Sequence, residues 1–91
     1  MNNELLNQLL VDDLAQEVAK NYGTPVYIYS EDMLLRQAQL AQAMPNAFGL
    51  KVRYAMKANS NISVVRTLYK AGVCIDASSG YEVERALLAG V

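Results

Sequence analysis

The chain has 91 residues, 53% hydrophobic and 19% charged, with eight basic and nine acidic side chains and a net charge of −1. That balance is too apolar and too weakly charged for a disordered segment, and the scattered basic residues build no patch for a nucleic-acid backbone. Cys74 stands alone and histidine is absent, which excludes an internal disulfide and removes the commonest metal ligand; no zinc-type spacing is present and no metal is expected.

A chain of this size buries only roughly 60–65% of its unfolded surface, so it holds at most one domain with a marginal core. Met1-Asn2-Asn3-Glu4 lacks the basic start of a secretory signal, and no apolar run approaches the ~18 residues that span a bilayer. The expectation is a cytoplasmic chain with neither membrane nor nucleic acid as partner.

Leu6, Leu10, Leu14 and Val18, with Leu5 and Leu9 beside them, form an apolar stripe that predicts a helix from about Asn3 to Tyr22, ended by Gly23. Thr24-Pro25-Val26-Tyr27-Ile28-Tyr29 is β-branched and aromatic and predicts a strand, with Pro25 at its start or edge and Tyr27 and Tyr29 as strand packing. Ser30 reads as an N-cap, with Glu31 and Asp32 in the first turn of a helix whose face carries Leu34, Ala38 and Ala41; Pro45 and Gly49 close it.

From there strand and helix alternate. Leu50–Met56 is strand-like, and Ser60 is placed to cap a helix with Ile62, Val65, Leu68 and Tyr69 on its buried side, stopped by Gly72. Val73–Ala77 reads as the next strand, with Cys74 as a small core residue. A last helix starts near Ser79, carries Val83, Leu87 and Leu88, and stops at Gly90. Such alternation predicts parallel βα units, the crossover right-handed. Two units leave a strand edge open, and the pattern breaks off where a third strand is due, so the chain is expected to be part of a longer one whose open edge promotes self-association.

In parallel α/β folds, functional groups gather at the carboxyl ends of the strands. Lys57 follows the first strand of the alternating pair and Asp76 lies near the end of the second. Adjacent parallel strands run ~4.8 Å apart, which allows both side chains one rim. Lys57, Ala55, Arg53 and Lys51 share one parity and Met56, Tyr54, Val52 and Leu50 the other. The apolar set is expected to face the covering helices, which turns the Lys57 set the other way, with Ala55 small enough to leave room for a bound ring. On their own, Lys57 reads as a solvated loop lysine and Asp76 as a carboxylate capping a turn. Ser79 and Glu82 fit the S-x-x-E capping box.

Tyr54-Ala55-Met56-Lys57-Ala58-Asn59 resembles the cofactor-binding motif of the fold-type III pyridoxal-phosphate (PLP) decarboxylases, the family of diaminopimelate, ornithine and arginine decarboxylases that shares its barrel with alanine racemase. The usual form is Tyr-Ala-Val-Lys-Ala-Asn, and only Met56 departs from it. Tyr22–Tyr29 is similar to the strand that precedes the family's barrel, and Asp76-Ala77-Ser78-Ser79-Gly80-Tyr81-Glu82 to its second barrel strand and following turn. With Gly80–Ala86, the pattern looks closest to the diaminopimelate branch.

The resemblance implies the N-terminal part of a (β/α)8 TIM barrel. Residues 1–29 would be a helix and a strand belonging to a second, β-rich domain, and residues 30–91 the first helix and first two βα units of an incomplete PLP-binding barrel. It implies that Lys57 bonds PLP through its amine, that Ala55, Asp76 and Glu82 lie at the cofactor, and that Asp76 takes part in catalysis beside Lys57, by orienting or balancing its amine. The implied activity is decarboxylation of an amino acid, meso-diaminopimelate to L-lysine and CO2, by a homodimer; ornithine- or arginine-type activity stands as the alternative. The family's ring-stacking histidine, glycine-rich phosphate loop, pyridine-nitrogen carboxylate, and later cysteine and tyrosine are not in these residues, so the chain alone is expected to be inactive and to bind PLP weakly. A non-catalytic α/β interaction fragment with an incidental lysine is the competing reading from another class. A racemase on the same barrel is a third, which the strand before the barrel argues against.

Overall fold

The computed structural model describes residues 12–91, the side chain of Asp12 excepted. They fall into two compact units, one ending at Met33 and the other spanning Leu34–Val91. In the first unit, helix α1 covers Asp12–Tyr22, and the remainder of the helix expected from Asn3 lies outside the described residues. Gly23 ends α1 with φ +82°, its N–H donating to the Ala19 carbonyl at 2.9 Å, in the left-handed geometry that glycine takes without strain.

The strand expected over Thr24–Tyr29 does not form. The segment bends at Thr24 and Pro25 and has no ladder partner among the described residues, and Tyr27 is 88% exposed, so neither Tyr27 nor Tyr29 packs as a strand residue. β-propensity expresses a fit to a pleated, half-buried surface, and among the described residues no neighbouring strand supplies one.

Ser30 caps helix α2, Glu31–Gln42, accepting the Met33 N–H on its hydroxyl at 3.2 Å. The predicted face is the one that packs: Ala38 is buried, with Leu34 and Ala41 partly covered. Two short parallel strands follow, β1 (Arg53–Ala55) and β2 (Cys74–Asp76), in the register Arg53–Cys74, Tyr54–Ile75 and Ala55–Asp76. Helix α3, Ile62–Lys70, connects them, and helix α4, Gly80–Leu88, follows β2. The expected βαβα order is therefore present. The first strand is shorter than Leu50–Met56, because β1 pairs only with a three-residue β2 and Met56–Ala58 turns at once into a 3-10 turn.

Two clusters form the core of this unit. Ala38, Val64, Leu68 and Val73 gather under α2, while Met56, Val65, Ala86 and Ala89 gather between β1, α3 and α4. Tyr54 packs against both. Met56 and Val65 are wholly buried. Cys74 is only partly buried, and Tyr69, assigned to the covered side of α3, is 43% exposed. Helix α4 also presents a different face from the one expected: the small Ala86 and the following Ala89 are covered, whereas Val83, Leu87 and Leu88 are exposed. Alanines let α4 come close to α3, and Arg66 of α3 fastens that approach by donating to the Ala89 carbonyl at 3.1 Å and the Leu88 carbonyl at 3.3 Å.

The cap of α3 is Asn61, not Ser60. Its side-chain oxygen accepts from Ser63 N–H at 2.9 Å and Val64 N–H at 3.3 Å, while Ser60 contributes its carbonyl elsewhere. Asparagine and serine cap about equally well, so composition did not separate neighbours. At the far ends, Gly72 (φ +95°) and Gly90 (φ +97°) stop α3 and α4 as predicted.

Among the described residues no helix is long and apolar enough to cross a membrane. Asn61→Ala is expected to lower stability by about 1 kcal/mol and Ser60→Ala by less than half of that, measured by urea unfolding. Met56→Ala, which empties a wholly buried position, is expected to cost about 2–5 kcal/mol in the same experiment.

Candidate functional site

Alternation along β1 decides what faces outward. Val52, Tyr54 and Met56 are turned toward the helices, Met56 completely, while Arg53 and Ala55 are exposed on the other face. Leu50, assigned to the inward set, is 44% exposed because it precedes the strand. On β2 the partner of Tyr54 is the inward Ile75, so Ala55 and Asp76 stand side by side on the open face at the carboxyl end of the sheet. Both are exposed, and Ala55 places only a methyl group beside the Asp76 carboxylate.

Lys57 lies one residue past Met56, in the 3-10 turn Met56–Ala58 that leaves the same end of β1. It is exposed, and among the described residues its amine is engaged by no hydrogen bond or ion pair. The same holds for the Asp76 carboxylate. The sheet thus brings Ala55 and Asp76 together directly and sets Lys57 on the turn that follows Ala55.

The backbone beyond Lys57 is fastened from two sides. The Tyr54 hydroxyl donates to the Asn59 carbonyl at 2.8 Å, and the Arg85 Nε–H donates to the Ser60 carbonyl at 2.9 Å. Asn59 also turns its side-chain oxygen to the Asn61 N–H at 3.0 Å. The Arg85 guanidinium carbon lies 5.8 Å from the centre of the Tyr81 ring, a cation–π approach within its own helix.

Glu82 serves the second turn. Its two carboxylate oxygens accept from the Ser78 N–H and the Ser78 hydroxyl, each at 3.1 Å. Ser79 caps α4 by accepting the Glu82 N–H at 3.1 Å. One half of the expected capping box is therefore formed and the other is displaced by one residue, onto Ser78. Serine hydroxyl and backbone N–H at the same residue satisfy both carboxylate oxygens together, which the Ser79 N–H alone would not.

Reading the sequence missed Tyr54 and Arg85 as residues of this site. The available signal was spacing: Glu82 and Arg85 are three apart on α4 and share a face, and that face is the one that reaches both turns.

The comparisons with known proteins agree with one another. Residues 31–91 match the family described as pyridoxal-dependent decarboxylase, pyridoxal binding domain. The diaminopimelate decarboxylase of Methanothermobacter thermautotrophicus is 42% identical over 79 residues, covering 84% of this chain and 18% of its own length. That of Vibrio cholerae is 39% identical over 74 residues, 81% of this chain and 18% of its own. That of Haemophilus influenzae is 38% identical over 88 residues, 92% of this chain and 20% of its own. The chain spans about a fifth of the length of these curated relatives. No solved structure matches it.

Glu82→Ala is expected to raise the hydrogen-exchange rate of the Ser78 amide by at least about fivefold, the worth of one hydrogen bond, and to leave the Ser79 amide unchanged. NMR exchange rates read both, and the reverse pattern would restore the reciprocal box.

Proposed function

The chain belongs to the pyridoxal-dependent decarboxylases, and from that premise we propose that it is the opening portion of an enzyme that removes CO2 from meso-diaminopimelate to give L-lysine. The cofactor of the family is pyridoxal phosphate. In this reading residues 1–29 join a second, β-rich domain, residues 30–91 begin a (β/α)8 barrel, and the complete enzyme is a homodimer in the cytoplasm. The names of the relatives support the substrate, and the parallel β1–α3–β2 unit with exposed apolar residues on α4 supports the barrel.

The observation that carries the reading is Lys57. A cofactor that attaches through an aldehyde needs a primary amine that is exposed and not already held by a carboxylate or carbonyl, and the Lys57 amine is both exposed and unengaged among the described residues. Ala55 leaves space for a ring beside it, and Asp76, its register neighbour, brings the negative charge. The donor set therefore fits the group. When bound, PLP supplies an electron sink for the pair left at the α-carbon as CO2 departs.

Each residue then has a task. Lys57 would hold the cofactor through Nζ, and the same nitrogen would carry a proton when it is free. Asp76 orients the Lys57 amine and balances its charge when protonated. Ala55 takes no part in proton movement and keeps the face clear. Glu82 acts through Ser78, holding the turn that follows β2, and its contribution to the cofactor site is to shape that turn.

In the complete enzyme, Lys57→Ala is expected to lower CO2 release from meso-diaminopimelate by roughly 10²–10⁴-fold or more, with ornithine and arginine remaining poor substrates throughout. Full activity in the Lys57→Ala protein would remove the reading, and faster release from ornithine than from meso-diaminopimelate would move the substrate to the other branch.

A further inference from the structure

We infer that Arg85, together with Tyr54, is a positioning residue for Lys57: the two side chains fix the backbone on the carboxyl side of the lysine and thereby set where its amine is presented. The inference rests on the reading of Lys57 as the cofactor lysine.

The turn that carries Lys57 is held on both flanks. On the amino side, Met56 is wholly buried in the cluster with Val65, Ala86 and Ala89, so a packed side chain anchors the backbone entering the turn. On the carboxyl side, burial offers no such grip: Ala58 is exposed, and Asn59 and Ser60 are only partly covered. Two side-chain donors replace it, Tyr54 on the Asn59 carbonyl at 2.8 Å and Arg85 on the Ser60 carbonyl at 2.9 Å.

The two donors come from opposite directions in the chain. Tyr54 stands three residues before Lys57 on β1, while Arg85 reaches back 25 residues from α4 to Ser60. Arg85 thereby couples the first turn to the helix whose Glu82 already holds the second turn at Ser78. One helix face thus sets both turns that leave the sheet beside Ala55 and Asp76. A guanidinium donor makes a stronger bond than a neutral one, and its planar group is itself steadied over Tyr81.

Arg66 supplies the internal comparison. It joins α3 to the other end of α4 through the Leu88 and Ala89 carbonyls, whereas Arg85 joins α4 to the single Ser60 carbonyl ahead of α3. Its loss removes the same kind of bond without removing any bond to the backbone that follows Lys57.

The test titrates PLP into the complete enzyme and reads the absorbance band of the lysine-bound cofactor, with urea unfolding of each variant alongside. Tyr54→Phe and Arg85→Gln are each expected to raise the half-saturating PLP concentration by about fivefold, one hydrogen bond in each case. Arg85→Lys, which keeps a charged donor, is expected to recover part of the loss. Arg66→Gln is expected to lower the urea midpoint as much as Arg85→Gln while shifting PLP half-saturation by less than about twofold. Wild-type PLP binding in both Tyr54→Phe and Arg85→Gln overturns the inference, as does an equal shift in Arg66→Gln, which would reduce Arg85 to a stabilising contact. If Arg85→Gln does not fold, Tyr54→Phe decides alone. A lysine-bound cofactor band that survives Lys57→Ala in the complete enzyme overturns the reading of Lys57 itself, a result distinct from either of the others.

Discussion

The burial of Met56 is the constraint from which the arrangement of the site follows. Its side chain is wholly enclosed by Val65, Ala86 and Ala89, and a strand alternates. With Met56 and Tyr54 inward, Ala55 must face outward, and the residue after Met56 leaves the sheet at its carboxyl end. Lys57 is exposed at that end, in the 3-10 turn Met56–Ala58. A polar residue in place of Met56 would remove the apolar reason for the strand to end in this orientation, and a smaller one would leave a cavity beneath the turn.

Pairing turns this local orientation into a shared surface. The parallel register sets Ala55 against Asp76 and Tyr54 against Ile75, so one face of the two strands is apolar and packed while the other offers a methyl group and a carboxylate at its carboxyl end, with Arg53 and Cys74 preceding them. Core and site are the two faces of the same few residues. Tyr54 belongs to both: its ring packs against the two apolar clusters, and its hydroxyl reaches the Asn59 carbonyl beyond Lys57. Helix α4 completes the frame, burying Ala86 and Ala89 while Glu82 and Arg85 hold the turns after β2 and β1.

Much of this was legible in the residues. Glycines at 23, 72 and 90 mark helix ends because left-handed backbone costs them little, and Ser30 and Ser79 cap helices because their hydroxyls reach an N–H at the start of the helix. The inward parity of Tyr54 and the outward parity of Arg53 and Ala55 were readable from spacing alone. What could not be read depended on partners distant in sequence or absent from it. Thr24–Tyr29 has strand composition without a neighbouring strand among the described residues, and it remains exposed. Val83, Leu87 and Leu88 supplied the apolar signal on α4, yet close approach to α3 selected the alanines. Asn61 and Ser60 are near-equal caps, and only the course of the backbone after Asn59 chose between them. Arg85 reached Ser60 across 25 positions, and its spacing from Glu82 marks the helix face but not that partner.

The central claim is that the chain presents one lysine, Lys57, to the aldehyde of pyridoxal phosphate. The most direct measurement is borohydride reduction of the PLP-loaded complete enzyme followed by peptide mapping by mass spectrometry. The account predicts that, within this stretch, the pyridoxyl group is carried by the peptide containing Lys57 and not by those containing Lys20, Lys51 or Lys70. A label on one of those three, or spread evenly over all four, would contradict it.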